Sequence, residues 1–521
     1  MAVLTAIDIM GVQRFIFSSN RLRDVVTGSF LVHWSTARDG ALCGLLSDEN
    51  ILLAAGGNAI FEFGSREEAH AFTASYSRRL YDQAPGIDAV VVHKAFEKGG
   101  LVRAIEGIRI ELERVKTERL PAAPLLGLSV NASCSETGLP AVGFDKAEPT
   151  VPLSTGILSR RKRTAEATEH WSSYLEGKQG FAFPMELDHL GRSRGDTSLI
   201  GVVHVDGNGV GQKINTWLSE RSGNGVDDDT VRQEYREWSQ AIDSLGKASF
   251  QAVVDRVFHA IAPIEGKEIL KITGIPEELG FELKMPDGKW LLPLRPILLG
   301  GDDLTFICDG RIALDLATAA LSVFEGSNVV HLGKITASAG VAMVRTHAPF
   351  RRAYELAEGL CASAKHMLKQ KNKSECALDW HIGTIRPGET VESIRGRQYH
   401  KDKRRLTCRP YYLGSGKDAP ETWRWLSETL LDDEDVGLRG KRWAERRNKV
   451  KAFPELVRQG GNDVKSALES WRIVDRGLKL PQPIAENGFR SDRTPLIDAV
   501  ELLNLHLALT PKGRDRRKET P

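Results

Sequence analysis

Residues 295–310, RPILLGGDDLTFICDG, hold the most informative pattern in the sequence. Two apolar runs flank Gly300-Gly301-Asp302-Asp303, which predicts a β-hairpin with the glycine pair at its turn. Both acids then lie at the turn, where their side chains can project into a cleft while the strands stay buried. Because the two glycines have no side chains, a nucleotide phosphate could approach the backbone closely there.

A related pattern occurs near the start of the chain. LTAIDIMGVQRFIF (residues 4–17) is predicted to be an apolar strand that ends in Asp8, with a glycine soon after it. A helical stretch follows, and then ILLAAGGNAIFEF (51–63), a second predicted hairpin with Gly56-Gly57 at its turn. The chain therefore contains one unit twice.

The second copy repeats this order. IGVVHVDGNGVGQKI (200–214) ends its strand at Asp206, and a helix-rich stretch, the hairpin and a helix-like run (311–326) follow. A last strand completes each copy, predicted at LLGLSVNAS (125–133) in the first and at KITASAGVAMV (334–344) in the second. The order β, α, β-turn-β, α, β is typical of an antiparallel sheet with helices on one face. The predicted fold class is α+β, with two ferredoxin-like or palm domains; the alternative is a duplication whose copies only pack on each other.

The composition is that of a globular protein with roughly three domains: 521 residues, 41% hydrophobic and 27% charged. No apolar run approaches the roughly 18 to 20 residues of a transmembrane helix, and no secretory signal is visible. The six cysteines form neither a CxxC pair nor a cluster with histidine at zinc spacing. We therefore predict a reduced, cytoplasmic location and no membrane partner.

The net charge of +2 hides an uneven distribution. Residues 384–521 contain 29 basic and 21 acidic side chains, near +8, which leaves about −6 for the rest of the chain. Apolar positions recur there at three- and four-residue spacing, which predicts a basic α-helical C-terminal domain. Its candidate RNA contacts are Arg446, Arg447 and Lys449.

The predicted domains are a first palm at 1–145 with a degenerate site, a basic helical linker at 146–195, a second palm with the GGDD motif at 196–383, and the C-terminal domain. The linker contains the run RRKR at residues 160–163. Such a run is usually the solvated face of a helix, and contact with nucleic acid is the less favoured alternative.

Asp206, Asp302 and Asp303 are the candidate catalytic and metal-binding residues. The paired strands would bring these three carboxylates together, and they would repel one another unless a cation neutralised them. Mg²⁺ fits, because it is usually held by one or two carboxylates together with substrate phosphates. Two such ions could activate a 3′ hydroxyl and stabilise the leaving pyrophosphate. The alternative is a glycine-rich turn whose acids are purely structural.

Several motifs, in this order along the chain, resemble the CRISPR-associated Cas-ten family, the large subunits of type III CRISPR effector complexes of the Csm and Cmr type. The resemblance covers roughly residues 1 to 415. The motifs are DIMGVQRFIFSSNRLRDVVTGSFLV (8–32), HVDGNGVG (204–211), LLGGDDLTF (298–306), AYELAEGLCASAKHMLKQKNKSECALDWHI (353–382) and LTCRPYYL (406–413).

The resemblance implies two palms related to the GGDEF nucleotidyl cyclases. The second palm would convert ATP, with Mg²⁺ or Mn²⁺, into cyclic oligoadenylates that serve antiviral defence. Asp302 and Asp303 match the GGDD acids of the family, and Asp206 matches its first metal-binding acid. The nucleotide-binding residues that the resemblance suggests are Gly300, Gly301, Gly207, Asn208, Ser338, Lys365 and, in the first palm, Asn58.

Three departures from the family pattern matter. The sequence has no His-Asp dipeptide, so we expect neither the HD nuclease domain nor cleavage of single-stranded DNA. No cysteine lies between Cys134 and Cys308, so we expect no cysteine-based zinc site between the palms. Asn208 stands where many relatives have a second acid, which puts the occupancy of a second metal ion in doubt.

Three functions follow as hypotheses. The first is a nucleotidyltransferase that acts when a guide-bound target RNA is sensed, in complex with CRISPR backbone subunits. The second is a non-catalytic scaffold of the same ribonucleoprotein, against which the clustered acids argue because they cost stability. The third is a stand-alone nucleotide cyclase.

Overall fold

The computed structural model describes residues 1–119, 127–128, 130–145, 147–190, 199–264, 268–273, 281–383, 386, 388–414 and 419–509. In this part of the chain, no helix combines the length and the apolar character that crossing a membrane requires.

The first palm is a four-stranded antiparallel sheet with the strand order β2-β3-β1-β4. Its central strand, AVLTAIDIM, is buried along almost its whole length, as its run of β-branched and apolar residues predicts. Helix α3 is capped by the Ser65 side chain and buries Ala69, Phe72, Tyr76 and Leu80, which lie on one face at three- and four-residue spacing. The elements are β1 (Ala2–Met10), α1 (Val12–Ile16), α2 (Leu22–Thr36), β2 (Ile51–Ala55), β3 (Asn58–Phe63), α3 (Arg66–Gln83), β4 (Asp88–Phe96) and α4 (Leu101–Glu118).

The strand that completes the first palm differs from the prediction. It is β4, DAVVVHKAF, whose alternating burial marks it as the partner of β1. Of the predicted strand 125–133, residues 125, 126 and 129 lie outside the described residues, and the others form only an isolated bridge at Ser133. A short apolar run does not by itself distinguish a strand from another buried or irregular segment, so the pattern at 125–133 does not identify the partner of β1.

The segment between the palms is mostly short elements: β5 (Gly143–Phe144), β6 (Pro152–Leu153), α5 (Thr155–Lys162), α6 (Thr164–Ser172) and β7 (Phe181–Ala182). The predicted bounds of this segment were 146–195, and residue 146 and residues 191–195 lie outside the described residues.

The basic run at 160–163 is not a solvated helix face, so that prediction is wrong. Arg160 is buried, lies 4.0 Å over the ring of Phe15 and donates to the Phe15 carbonyl. Arg161 forms ion pairs with Asp24, Asp145 and Glu148 at 3.0–3.1 Å. Since these two arginines are engaged inside the protein, they attach the segment to the first palm and are not available to a nucleic acid. Charge counting missed this because it does not show where the acidic partners lie.

The second palm repeats the order of the first, with strands β12-β13-β8-β14 and then β15. β8, β12, β13 and β14 pair antiparallel, as the sequence predicted, and β15 adds in parallel. The elements are β8 (Leu199–Gly207), α7 (Val210–Gly223), α8 (Asp228–Phe258), β9 (Ile261–Pro263), β10 (Leu270–Ile272), β11 (Trp290–Leu291), β12 (Leu294–Gly300), β13 (Asp303–Asp309), α9 (Ala313–Glu325), β14 (Ala337–Arg345), α10 (Phe350–Gln370) and β15 (Ala377–Ile382).

The C-terminal part is largely helical. Its elements are α11 (Val391–Tyr399), β16 (His400–Lys401), β17 (Arg404–Arg405), β18 (Tyr411–Tyr412), a π-helix (Trp425–Leu431), α12 (Lys441–Ala444), α13 (Arg447–Gln459), α14 (Gly461–Val474) and α15 (Leu496–Leu502). β18 pairs with β15 and so extends the sheet of the second palm. Buried Arg409 bonds Asp498 at 2.8 Å and the Trp380 carbonyl at 3.0 Å, which joins α15 to that sheet.

Helix α8 holds the two palms together. Near its start, Asp228 accepts hydrogen bonds from the backbone N–H groups of Gly99 and Leu101, at the beginning of α4 in the first palm. One turn further, Arg232 forms a two-pronged ion pair with Glu62 of β3 at 2.7 and 2.8 Å. A charged group at a helix N-terminus and a bidentate arginine pair are both favourable contacts.

Candidate active site at the hairpin of the second palm

The sheet of the second palm brings the three candidate acids together. β13 pairs with β8 in a register that, extended by one residue, sets Asp303 opposite Asp206. Within the hairpin Gly300 pairs with Asp303, so Gly301 and Asp302 form the two-residue turn. The predicted meeting of these carboxylates is therefore present in the backbone geometry.

The acids are close enough to perturb one another. Burial and the negative charge of Asp206 raise the pKa of Asp302 to about 6. Burial, followed by the charges of Asp206 and Asp302, raises the pKa of Asp303 well above its ordinary value. The Oδ1 atom of Asp303 is shielded from solvent and accepts no hydrogen bond, although Nδ1 of His204 lies 3.3 Å from it. A cation would relieve both the repulsion and this unsatisfied oxygen.

Lys365 approaches this cluster from α10. Its Nζ donates to Oδ2 of Asp206 at 2.5 Å and to the carbonyl oxygen of Gly207 at 2.8 Å. Lys365 is therefore directed at the acids and not outward from an exposed face of α10. Its predicted contact with nucleotide stays a prediction.

Behind Asp303 lies His204, which the sequence analysis did not select. Its Nδ1 lies 3.3 Å from Oδ1 of Asp303 and 3.0 Å from the hydroxyl of Thr305, and its ring packs edge-on against Tyr354. Burial lowers the pKa of His204 to about 4 despite the charge of Asp206, so the ring is neutral at pH 7. Its spacing of two residues from Asp206 on one strand could have revealed it, since such residues share a face.

Asn208 and Ser338 form a hydrogen-bonded pair next to Asp206. Ser338 is buried opposite Asp206 on β14, and its hydroxyl donates to Oδ1 of Asn208 at 2.9 Å. Asn208 in turn donates to the hydroxyl of Thr336 at 3.0 Å. Both predicted nucleotide contacts are thus engaged with protein groups, and their binding role stays a prediction.

The glycines of the site meet protein atoms at close range. A Cβ on Gly207 would lie 2.4 Å from Oδ2 of Asp302, so the Asp302 side chain occupies that space. Gly301 has φ of +69°, which glycine adopts more readily than other residues. Part of the reason for these glycines is therefore packing, which the sequence analysis did not anticipate.

A cavity of about 990 Å³ lies between the two palms. Asp302, Gly300 and Gly301 line it from the second palm, and Asp8 and Asn58 line it from the first. Of the three clustered acids, Asp302 is the one on its wall. The volume falls in the range of small-molecule sites, so the turn presents one acid to a space large enough for a nucleotide.

The first palm has a corresponding but uncharged turn. Ala55 pairs with Asn58, which leaves Gly56 and Gly57 as the turn. By this register Gly57 and Asn58 correspond to Asp302 and Asp303. Neither position carries an acid, and that this palm binds no catalytic metal by itself stays a prediction.

An acid and a lysine nevertheless meet in the first palm too. Asp8 lies opposite Asn58 on the paired strands, and its Oδ2 lies 2.7 Å from Nζ of Lys116 on α4. The ion pair repeats the pair of Asp206 and Lys365, although the sequence analysis did not select Lys116.

The residues of the second palm fit a divalent cation only together with other oxygen ligands. Within the described ranges no group of three or more His, Cys, Asp and Glu side chains is arranged to hold a metal by itself. Because Mg²⁺ is usually bound by one or two carboxylates and substrate phosphates, such a group is not required. The unpartnered Oδ1 of Asp303 and the raised pKa of Asp302 favour a cation here.

The candidate RNA contacts lie apart from this cluster, around the start of α13. Arg446 lies 3.8 Å from Asp475, and Nζ of Lys449 lies 5.5 Å from the centre of the Trp471 ring. Arg447 is half-buried, and burial lowers its pKa. A role in RNA binding stays a prediction for all three.

Comparison with known proteins identifies this domain. Residues 199–375 match the family model described as Cas10/Cmr2, second palm domain. No curated protein is similar enough to count as a match.

Solved structures resemble nearly the whole chain. A Csm1-Csm4 cassette in complex with cA3 has 13% identity and a TM-score of 0.52, over 98% of this chain and 70% of that one. A Csm1-Csm4 cassette in complex with one ATP has 13% identity and a TM-score of 0.51, over 98% of this chain and 70% of that one. Csm1 in T. onnurineus has 13% identity and a TM-score of 0.50, over 97% of this chain and 69% of that one. At this identity the likeness establishes the fold: paired palms followed by a helical region.

The GGDD hairpin, the strand that carries Asp206 and the helix of Lys365 all fall inside the matched segment. The chain thus carries a second palm domain of the Cas10/Cmr2 type at residues 199–375, which confirms the resemblance to the Cas-ten family for this domain, and beyond it the likeness is one of fold.

Proposed function

We propose that this chain is the large subunit of a type III CRISPR effector complex and that its second palm makes cyclic oligoadenylates from ATP. The observation that carries the proposal is the cluster of Asp206, Asp302 and Asp303, in which burial and then the charge of Asp206 raise the pKa values of Asp302 and Asp303, inside a domain of the Cas10/Cmr2 type. The solved structures support the ligand class, because one similar protein is described in complex with ATP and also with cA3.

The acids would hold Mg²⁺ or Mn²⁺ at the turn. When bound, the ion would supply Lewis-acid stabilisation of the charge that develops on the reacting phosphate and the leaving pyrophosphate. Asp302 would face the nucleotide from the cavity wall, and Asp303 would contribute its unpartnered oxygen. His204 and Thr305 would keep the Asp303 side chain in place.

Lys365 would balance the negative charge next to the nucleotide. In the structure its ammonium group neutralises Asp206 and bonds the Gly207 carbonyl. A phosphate that enters the site would add a further partner for this ammonium, which has three donors. Lys365 would then orient the phosphates while Asp206 turns toward the ion.

The basic C-terminal part would face the RNA-bearing subunits, where arginine and lysine contact phosphates without reading sequence. The similar proteins are described as cassettes with a partner subunit, Csm4. A cytoplasmic location stays a prediction.

The test is to assemble the complex with guide RNA and to add target RNA, Mg²⁺ and labelled ATP. We expect an oligonucleotide product that depends on target RNA, with its ring size and linkage read by mass spectrometry. Asp302→Ala/Asp303→Ala should abolish it. Equal product from that variant would refute the assignment, product without RNA would indicate a stand-alone cyclase, and no product from an intact complex would favour the scaffold.

A further inference from the structure

The turn that carries Asp302 and Asp303 is enclosed by two backbones from other parts of the molecule. On one side lies α8, where a Cβ added at Gly246 would come within 1.9 Å of the carbonyl oxygen of Gly301 and 3.0 Å of its carbon. Both atoms are backbone, so no side-chain rotation can relieve the contact. Only a glycine allows α8 to lie this close to the turn.

Glycine at position 246 has no local advantage. It lies inside a 31-residue helix, where glycine is less favourable than alanine because of its backbone freedom. The close approach to Gly301 accounts for it.

The other side of the turn meets the first palm. A Cβ added at Gly56 would lie 2.9 Å from the Cα of Gly300, and a Cβ added at Gly300 would lie 3.2 Å from the Cα of Gly56. The two glycine turns of the duplicated unit therefore touch each other through their backbones.

The acids have little freedom to absorb a displacement of this turn. Oδ2 of Asp302 occupies the place where a side chain on Gly207 would begin, and Asp303 starts the strand that pairs with β8. A shift of Gly300 or Gly301 would therefore move both carboxylates relative to Asp206.

We propose that Gly246 and Gly56 are positioning residues that hold the backbone of Gly300 and Gly301 and so fix the position of Asp302 and Asp303 relative to Asp206. The first palm then contributes to the site through the backbone of its own glycine turn. This inference rests on the proposed function in one respect, that the acids hold a cation.

The test uses the full chain with Gly246→Ala and Gly56→Ala, each with a matched control. Gly396 is a glycine inside α11 with no atom near the position of an added Cβ, so Gly396→Ala controls for helix propensity. Gly44 has φ of +71° and open space, close to the φ of +59° at Gly56, so Gly44→Ala controls for backbone strain.

The main measurement is Mn²⁺ binding by electron paramagnetic resonance in the presence of a non-hydrolysable ATP analogue, with melting temperatures recorded alongside. We expect Mn²⁺ affinity to fall about tenfold or more in Gly246→Ala and a few-fold in Gly56→Ala, as for loss of support around metal ligands. Both controls should stay within about twofold. In the assembled complex, kcat should fall more than KM for ATP changes, because misplaced groups act on the reacting centre.

The double variant separates positioning from general destabilisation. Since both substitutions displace the same turn, their effects on Mn²⁺ affinity should not multiply, whereas independent losses of stability would. A folded Gly246→Ala protein with unchanged Mn²⁺ affinity would overturn the proposal. If Gly246→Ala does not fold, Gly56→Ala alone decides, and affinity equal to that of Gly44→Ala would overturn it.

Amide hydrogen exchange distinguishes a failure of this inference from a failure of the proposed function. If the unaltered protein binds Mn²⁺ but makes no oligonucleotide, the function fails and the positioning role is still tested by affinity. If it binds no Mn²⁺, exchange at residues 299–304 decides. Faster exchange confined to that segment in both variants supports the positioning role, and unchanged exchange there overturns it.

Discussion

The two palms share a framework and differ in the charge at its turn. In each, a strand that carries an acid near its C-terminal end runs beside a glycine hairpin, and a lysine from a later helix pairs with that acid; β1 continues past Asp8 to Met10, and β8 ends at Gly207, so neither strand ends at its acid as predicted. The second palm adds Asp302 and Asp303, whereas the first has Gly57 and Asn58 in the corresponding register. In the first palm Lys116 pairs with Asp8 and with the exposed Glu113 of its own helix, whereas in the second palm three clustered acids with one lysine call for a further cation. The two palms therefore differ at the turn by two carboxylates, and this difference separates the proposed catalytic palm from the palm that lacks the acids.

The largest contrast is expected when the shared acid is neutralised in each palm. Asp206→Asn should lower oligonucleotide formation by about 100-fold or more, because it removes a proposed metal ligand. Asp8→Asn should change it by less than about threefold, since Asp8 is paired with Lys116 and is not among the proposed metal ligands. Initial rates of labelled ATP conversion in the assembled complex measure both; equal losses would mean that the first palm takes part in the chemistry.

The next largest contrast is expected between substitutions of the two lysines, Lys365 and Lys116. Lys365→Met should reduce kcat/KM for ATP by roughly ten- to 100-fold, through loss of phosphate orientation and of charge balance beside Asp206. Lys116→Met, in a pair that lines the cavity from the first palm, should cost less than about fivefold and act mainly on KM. A larger loss of kcat/KM for Lys116→Met than for Lys365→Met would contradict the assignment of the chemistry to the second palm.

Metal binding should depend on pH in a window set by Asp302. Its pKa is raised from 3.8 to about 6, so the proton competes with the cation below that pH. Mn²⁺ affinity should therefore rise about tenfold between pH 5 and pH 7 as this one carboxyl loses its proton. Mn²⁺ titrations followed by electron paramagnetic resonance between pH 5 and pH 7 would measure this rise. An affinity that does not change with pH would contradict competition between the proton and the cation for Asp302.

The smallest effect concerns stability without metal. A raised pKa in the folded state means that protonation of Asp302 stabilises the fold below pH 3.8 and that this stabilisation is lost as pH rises through about 6. Asp302→Asn should therefore increase the free energy of unfolding at pH 7 by about 1 kcal/mol, a value reduced for partial solvent exposure. Asn58→Asp, at an exposed turn, should stay within about 0.5 kcal/mol. Urea unfolding in chelator measures both.

The sequence predicted what depends on short-range pattern. Alternating apolar residues and glycine pairs indicated both hairpins, and β13 begins at Asp303 as the GGDD pattern required. The meeting of Asp206 with Asp303 followed from strand pairing alone. The same reasoning failed for residues 125–133, where an apolar run carries no information about its partner strand.

What the sequence could not provide depends on contacts between distant parts of the chain. His204 and Lys116 act through neighbours that only the folded sheets bring near. Arg160 and Arg161 looked solvated because their acidic and aromatic partners lie in other segments. Likewise, the reason for Gly246 is a carbonyl oxygen 55 positions further along the chain.

The bond from Asp228 to the start of α4 has an evolutionary consequence. This single carboxylate of the second copy accepts hydrogen bonds from two backbone amides of the first. One turn further along the helix, Arg232 forms an ion pair with Glu62 on β3. Because an acid and an arginine of one half complete a helix end and an ion pair of the other, deleting either half would leave these polar groups without their partners. A copy without acids at its turn therefore still serves as one half of a folding unit.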